Sequence, residues 1–191
     1  MLVFGCGQAN VLSMDKPFFR FLFNRFGTPA SETNAAKAEG GDADAQFSLG
    51  VKFANIGPAQ DYAQAAEWYV KAADQNHALA QFNLGVMYAL GQGVLRDEAL
   101  SMKWIRKAAH LGDAGAQYNL GMKNHRISMG QAPEQAGETR IEAYKWLQLS
   151  AAQGYGASGA GCESVALGMT LEGVADGRRR AAAFVAGKPE A

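Results

Sequence analysis

The 191-residue sequence predicts an all-α fold, a right-handed α/α superhelix (solenoid) of about three stacked helical hairpins. Three observations carry this. One phrase returns three times, as Asp42-Ala-Asp-Ala-Gln-Phe-Ser-Leu-Gly50, His77-Ala-Leu-Ala-Gln-Phe-Asn-Leu-Gly85 and Asp113-Ala-Gly-Ala-Gln-Tyr-Asn-Leu-Gly121, with its closing glycines 35 and then 36 residues apart. A second phrase follows each copy, centred on Trp68, Trp104 and Trp146 and ending in Ala72-Ala73, Ala108-Ala109 and Ala151-Ala152. Both phrases hold apolar residues at helical spacing. Self-similarity at such a period marks an array whose units cannot bury their apolar faces alone.

The first phrase forms helix A of each hairpin. Ala45, Leu49 and Phe53 fall at i, i+4 and i+8, as do Ala80, Leu84 and Tyr88, with Ala116 and Leu120 in the third copy. The second phrase forms helix B, its facing stripe being Ala65, Trp68 and Ala72, then Trp104 and Ala108. Gly50, Gly85 and Gly121 sit within helix A, where glycine costs about 1 kcal/mol relative to alanine. Recurrence of that cost predicts a close backbone crossing in every hairpin, with the paired alanines approaching from helix B. The three tryptophans are then the large pieces of the core.

Turn chemistry separates the helices. Gly91-Gln-Gly93-Val94 ends helix A of the second repeat, and Asn55-Ile-Gly-Pro58 that of the first. Gln75-Asn76 and Leu111-Gly112 close their B helices. From Trp104 to Trp146 is 42 residues against 36 from Trp68 to Trp104, and the extra six are expected in a Pro/Gly-containing loop, Gly130 to Gly137.

These residues resemble the Sel-one-like repeat family, a branch of the tetratricopeptide-like solenoids. Its pattern is A-x-A-Q-Y/F-x-L-G, a G-x-G-V loop, K-A-x-x-W-Y-x-K-A-A and a closing glycine. The middle repeat, Ala78 to Gly112, matches nearly throughout. Repeat one lacks G-x-G-V, and repeat three has Asn124 where the others have an aromatic. The array is expected over residues 31–154, with repeats at about 42–76, 77–112 and 113–154. Residues 1–30 form an N-terminal extension, and Ser31 to Glu39 is a half-repeat like the tail of a B helix. Residues 155–191 form a C-terminal helical cap and tail. There Tyr155 to Gly161 is too glycine-rich for a full helix, a weak helix is expected to end at Val165 to Leu167, and Thr170 N-caps a last helix to about Val185, the two making a capping hairpin.

For function, the resemblance implies a bacterial scaffold or adaptor that holds a segment of another protein in the concave groove lined by the A helices. Off the apolar stripe, those helices present Ser48 and Lys52, Asn83 and Met87, and Asn119 and Lys123. Amides can pair with a peptide backbone or carboxylate and lysines supply charge, so the expected partner segment is acidic or carboxylate-bearing. A rival implied by the resemblance is the β-lactamase-like hydrolase activity of some secreted, cysteine-rich relatives. This chain has two cysteines, Cys6 and Cys162, and neither recurs with the repeat. They fit unpaired thiols in a reducing compartment.

No catalytic, cofactor or metal constellation is expected. Ser13-Met-Asp-Lys16 has the form S-x-x-K without companion motifs. His77, His110 and His125 lack ligand spacing, and Gly91-Gln-Gly93 lacks the context of a nucleotide fingerprint. Eighteen basic residues balance eighteen acidic ones, which argues against nucleic acid. Arg178-Arg-Arg180 reads as a solvated helix end. Outside the repeats, Phe18, Phe19, Leu22, Phe23 and Phe26 share one helical face between Asp15 and Gly27. That segment suits a cap on repeat one, a partner's groove or an anionic membrane surface. Residues 1–11 have neither the basic region nor the apolar core of a secretory signal, Met14 is an alternative start, and the cytoplasm is the expected compartment.

Overall fold

Residues 30–55 and 61–185 are described by the computed structural model, so the Phe-rich segment, Ser13, Cys6 and the turn at residues 56–58 lie outside it. Among the described residues every element is a helix. In chain order they are α1 (Ala30–Glu39), α2 (Ala43–Asn55), α3 (Tyr62–Asp74), α4 (Ala78–Leu90), α5 (Glu98–His110), α6 (Ala114–Met129), α7 (Pro133–Ala152), α8 (Ser158–Ala166) and α9 (Leu171–Val185). Helices α2/α3, α4/α5 and α6/α7 are the three hairpins, each packed on the next. No described helix is long and apolar enough to cross a membrane.

The glycine crossings are present. A Cβ on Gly85 would meet Ile105 Cγ1 at 2.7 Å and the Ser101 carbonyl at 3.2 Å; one on Gly121 would meet Leu147 Cγ at 2.7 Å and the Ala143 carbonyl at 3.1 Å. At Gly50 the obstacle is the Tyr69 ring, at 2.5 Å. The large side chain over each glycine is therefore the residue after the tryptophan. Tyr69, Ile105 and Leu147 are buried, whereas Trp68 and Trp104, expected as the main core pieces, are half-buried. Lys71 and Lys107 lie one turn on and place their Nζ atoms 3.9 and 4.4 Å from those indole rings. Trp146 differs from both because α9 brings Phe184 edge-on to it, ring centroids 5.3 Å apart, and buries it.

A polar device repeats with the apolar one. The glutamine of each A phrase is buried and donates to the carbonyl eight residues back, near the end of the preceding B helix. The pairs are Gln46 to Ala38 (3.0 Å), Gln81 to Ala73 (2.9 Å) and Gln117 to Ala109 (3.2 Å). One of the orphan C-terminal carbonyls of each B helix but α7 is thus satisfied by the following repeat. Helix α1 takes part through Ala38, so it acts as the B helix of a half-repeat. Every such helix then turns through a positive φ, at Gly41, Asn76, Gly112 and Gly154. The next A helix is N-capped by Asp42, His77 or Asp113.

One link of this polar chain is missing. Gln75 and Gln153, at the ends of their B helices, donate to the Oε1 of Gln46 (2.8 Å) and Gln117 (2.9 Å). The equivalent residue in repeat two is Leu111, 49% exposed, and Gln81 Oε1 is buried without a partner. Leu111→Gln should supply that donor and raise stability by about 0.5–1.5 kcal/mol, the net worth of a typical hydrogen bond. Paired urea melts of the variant and the parent would check it; an unchanged midpoint would refute the repair.

Three expectations are corrected. The six extra residues of repeat three do not form a loop: α6 and α7 are 16 and 20 residues long against 13 for each helix of repeat two. Their connection is Gly130–Ala132, and Pro133 takes the first turn of α7, where its missing N–H is harmless. Gly137 is helical. Second, the glycine-rich run after Tyr155 is helical from Ser158 on, as the start of α8, which ends at Ala166 where a weak helix was expected to end. Ser158, Gly161, Cys162 and Val165 are small or apolar enough to lie against α7, and a Cβ on Gly161 would stand 3.0 Å from Leu147. Third, α8 and α9 do not pair as a hairpin; each packs on α7. Thr170 does cap α9, accepting from Gly173 N at 3.1 Å.

Candidate functional site

The residues expected to form a binding face come from the A helices, but the structure unites only two of them. Where α2, α3 and α4 meet, a cavity of about 300 Å³ opens, lined by Val51, Tyr62, Tyr69, Asn83, Val86 and Met87 among others. Burial raises the pKa of the Tyr69 phenol above its usual value, and the Asn83 side chain beside it offsets part of that rise. Met87, expected off the apolar stripe, is 5% exposed and belongs to the core, presenting its edge to the cavity. The floor is thus an amide beside a phenol within apolar walls.

The other four lie outside this lining. Ser48 turns its hydroxyl back to the Asp44 carbonyl (2.8 Å), and Asn119 donates to the Gly115 carbonyl (2.9 Å), each within its own helix. Lys52 is exposed on α2. Lys123 is ion-paired with Glu98 across α6 and α5, Nζ to Oε1 2.6 Å, which lowers the Glu98 pKa. Sequence reasoning missed Val51, Tyr62, Tyr69 and Val86. The available signal was Tyr69 itself, a hydroxyl-bearing residue facing Gly50 where the other repeats carry Ile105 and Leu147. A phenol there needs a polar neighbour.

A second cavity, about 390 Å³, lies among α5, α6 and α7, with Arg106, His110, Asn124, Glu142, Lys145 and Trp146 in its walls. Its walls come from two B helices and the A helix between them.

Nucleophile chemistry finds little support. Ser164 Oγ and His125 Nε2 are 3.3 Å apart, but His125 Nδ1 has no hydrogen-bond partner, so no third group orients the ring as a catalytic base requires. His77 is an N-cap, its Nδ1 accepting from Ala80 N and its ring stacked on Phe47. His110 lies edge-on to Trp146. Cys162 is a buried free thiol whose pKa burial pushes up. Among the described residues no His, Cys, Asp and Glu side chains cluster as a metal site. Of the arginine run, Arg178 donates to Tyr144 Oη, Arg179 pairs with Asp176, and Arg180 with Glu138, Glu142 and Asp176.

The Sel1 repeat model matches three times, at residues 43–77, 78–113 and 114–155. No curated protein sequence matches. Among solved structures, the chain is similar to a protective antigen of uropathogenic Escherichia coli strains displaying an SLR fold, with 27% identity over 82% of this chain and a TM-score of 0.67. It spans about a third of that protein's length (32%). It is also similar to a Sel1 repeat protein from Oxalobacter formigenes, with 33% identity over 70% of this chain and 96% of that one, and a TM-score of 0.56. Three consecutive matches, on the three hairpins whose glycines and glutamines recur, place the chain in the Sel1 repeat family.

Proposed function

We propose that the chain is a protein-interaction scaffold that holds a partner's segment across its A helices, anchored in the cavity at Tyr69, Asn83 and Met87. Sel1 repeat proteins are generally scaffolds of this kind, which supports the coarse reading. The observation that carries the finer one is the cavity itself. Apolar walls from Val51, Val86 and Met87 suit a side chain of the partner, and Asn83 can serve a backbone amide beside it. Lys52, one residue from Val51 on the exposed side of α2, supplies positive charge for an acidic flank. Asn119 and Lys123 would extend the same face along α6, Lys123 only by exchanging Glu98 for a partner carboxylate.

The test begins with affinity purification and mass spectrometry to identify the bound protein, followed by titration of its binding segment. Asn83→Ala is expected to weaken binding about tenfold, or 1.4 kcal/mol. Binding unchanged in the Asn83→Ala, Asn119→Ala double variant would refute this placement.

A further inference from the structure

The cavity among α5, α6 and α7 exists because repeat three departs from its siblings at two places. Helix A of repeats one and two carries Phe53 and Tyr88 four residues after its leucine, and both rings pack against the core. The same position in repeat three is Asn124, so a ring's volume is missing and an amide faces the space. The second departure is α9, which has no counterpart over the earlier hairpins. In the sequence phrase before each tryptophan, Glu67 and Lys103 are exposed, whereas the equivalent Lys145 is 2% exposed. Its Nζ is 3.6 Å from Glu142 Oε2 and lies over the Trp146 ring, with the Phe184 ring of α9 beyond.

Glu142 stands between Lys145 and Arg180, its Oε1 3.1 Å from Arg180, and Arg180 is paired with Glu138 and Asp176 as well, so these charges satisfy one another. Arg106, on the rim, has no carboxylate within salt-bridge distance among the described residues, and His110 lies one turn along the same helix. The guanidinium is a planar fork suited to a carboxylate. Trp146 and Leu120 provide an apolar side to the same space, and Asn124 a donor and an acceptor.

From this arrangement we infer that the cavity is a binding site for a carboxylate-bearing ligand of about one residue's size, an N-acylated α-amino acid or the C-terminal residue of a peptide. Its carboxylate pairs with Arg106, its amide meets Asn124, and its side chain lies on Trp146 and Leu120. The site is separate from the A-helix cavity and does not depend on it.

Isothermal titration of the full chain with N-acetyl-leucine, N-acetyl-leucinamide and the peptide Ac-Ala-Ala-Leu tests this. The two acids should bind, and the neutral amide at least about tenfold more weakly, since a charge-assisted pair is lost. Tighter binding of the peptide would assign a chain end, and tighter binding of N-acetyl-leucine a free acid. Asn124→Tyr, which restores the ring of the other repeats, should abolish binding while the helical circular dichroism is retained. Arg106→Gln, on an exposed residue, should weaken the acids about tenfold and leave the amide unchanged, as expected for loss of one charged contact. No heat from either acid, equal binding of acid and amide, or full affinity in Arg106→Gln would overturn the assignment.

Discussion

Leu84→Ala should lower the stability of the protein by about 2–5 kcal/mol, the range for emptying a buried leucine site. Leu84 is fully buried (0% exposed) in the first core, among Ala65, Ala72, Ala73 and Ala80. These alanines are backbone-proximal and cannot extend into a void, which leaves Tyr69 and Met87 of the same core as side chains able to shift. Collapse of the helices toward each other is also blocked, because Gly85 and the Ile105 backbone are already in contact. The space therefore closes only in part, and the cost falls within that range. Position adds to the effect: Leu84 is in the middle repeat, and in a stacked array each unit's stability includes the interfaces on both sides. Urea denaturation followed by circular dichroism would measure it. A loss below about 1 kcal/mol, less than for trimming a buried methyl group or two, would mean that the repeat is not the centre of the array.

Gly85→Leu is expected to be comparably harmful for the opposite reason. The first added atom would already lie 2.7 Å from Ile105 Cγ1, 3.2 Å from the Ser101 carbonyl oxygen and 3.3 Å from Ile105 N. Two of those three atoms are backbone, so relief requires parting α4 from α5. Overpacking commonly costs about 1–3 kcal/mol, and more where the backbone must move. Gly85→Ala separates this from secondary-structure propensity. In an unobstructed helix that change would stabilise by about 1 kcal/mol; here it should destabilise. Thermal melts of the two variants showing midpoints at or above the parent's would contradict the close crossing.

The close crossing behind both expectations is legible in the primary structure, for one physical reason. A glycine in mid-helix is a cost that needs a contact to justify it, and three glycines at one register justify it three times. The Ala45, Ala80 and Ala116 stripe was legible in the same way, all three being buried. Less was legible where one residue type serves two purposes. Tryptophan was expected at the centre of each hairpin, yet Trp68 and Trp104 lie at the edge under lysines, because the glycine leaves room beside its neighbour in sequence. The glutamine of the A phrase was seen as a letter of the motif. Its bond to a carbonyl eight residues back became visible only when the helix before it was in place.

The candidate sites divide along the same line. Asn83 and Met87 were named from their places on helix A and do meet at a cavity, whereas Ser48 and Asn119 bond to carbonyls of their own helices and Lys123 to Glu98. Facing direction on a helix follows from a 3.6-residue period; what occupies the opposite wall does not. The substitution at Asn124 was noticed as a departure from pattern, but a missing ring becomes a cavity only if nothing else fills it.

Primary structure by itself determined the helical class, the three hairpins, their register and the glycine contacts, since each rests on short-range periodicity repeated with the unit. Tertiary structure alone decided that the third hairpin lengthens its helices instead of its loop. It also decided that α8 and α9 part company and lie separately on α7, with α9 covering Lys145 and Trp146 beside an open cavity. Those outcomes depend on which of several apolar surfaces compete for one helix, and no local pattern encodes the winner.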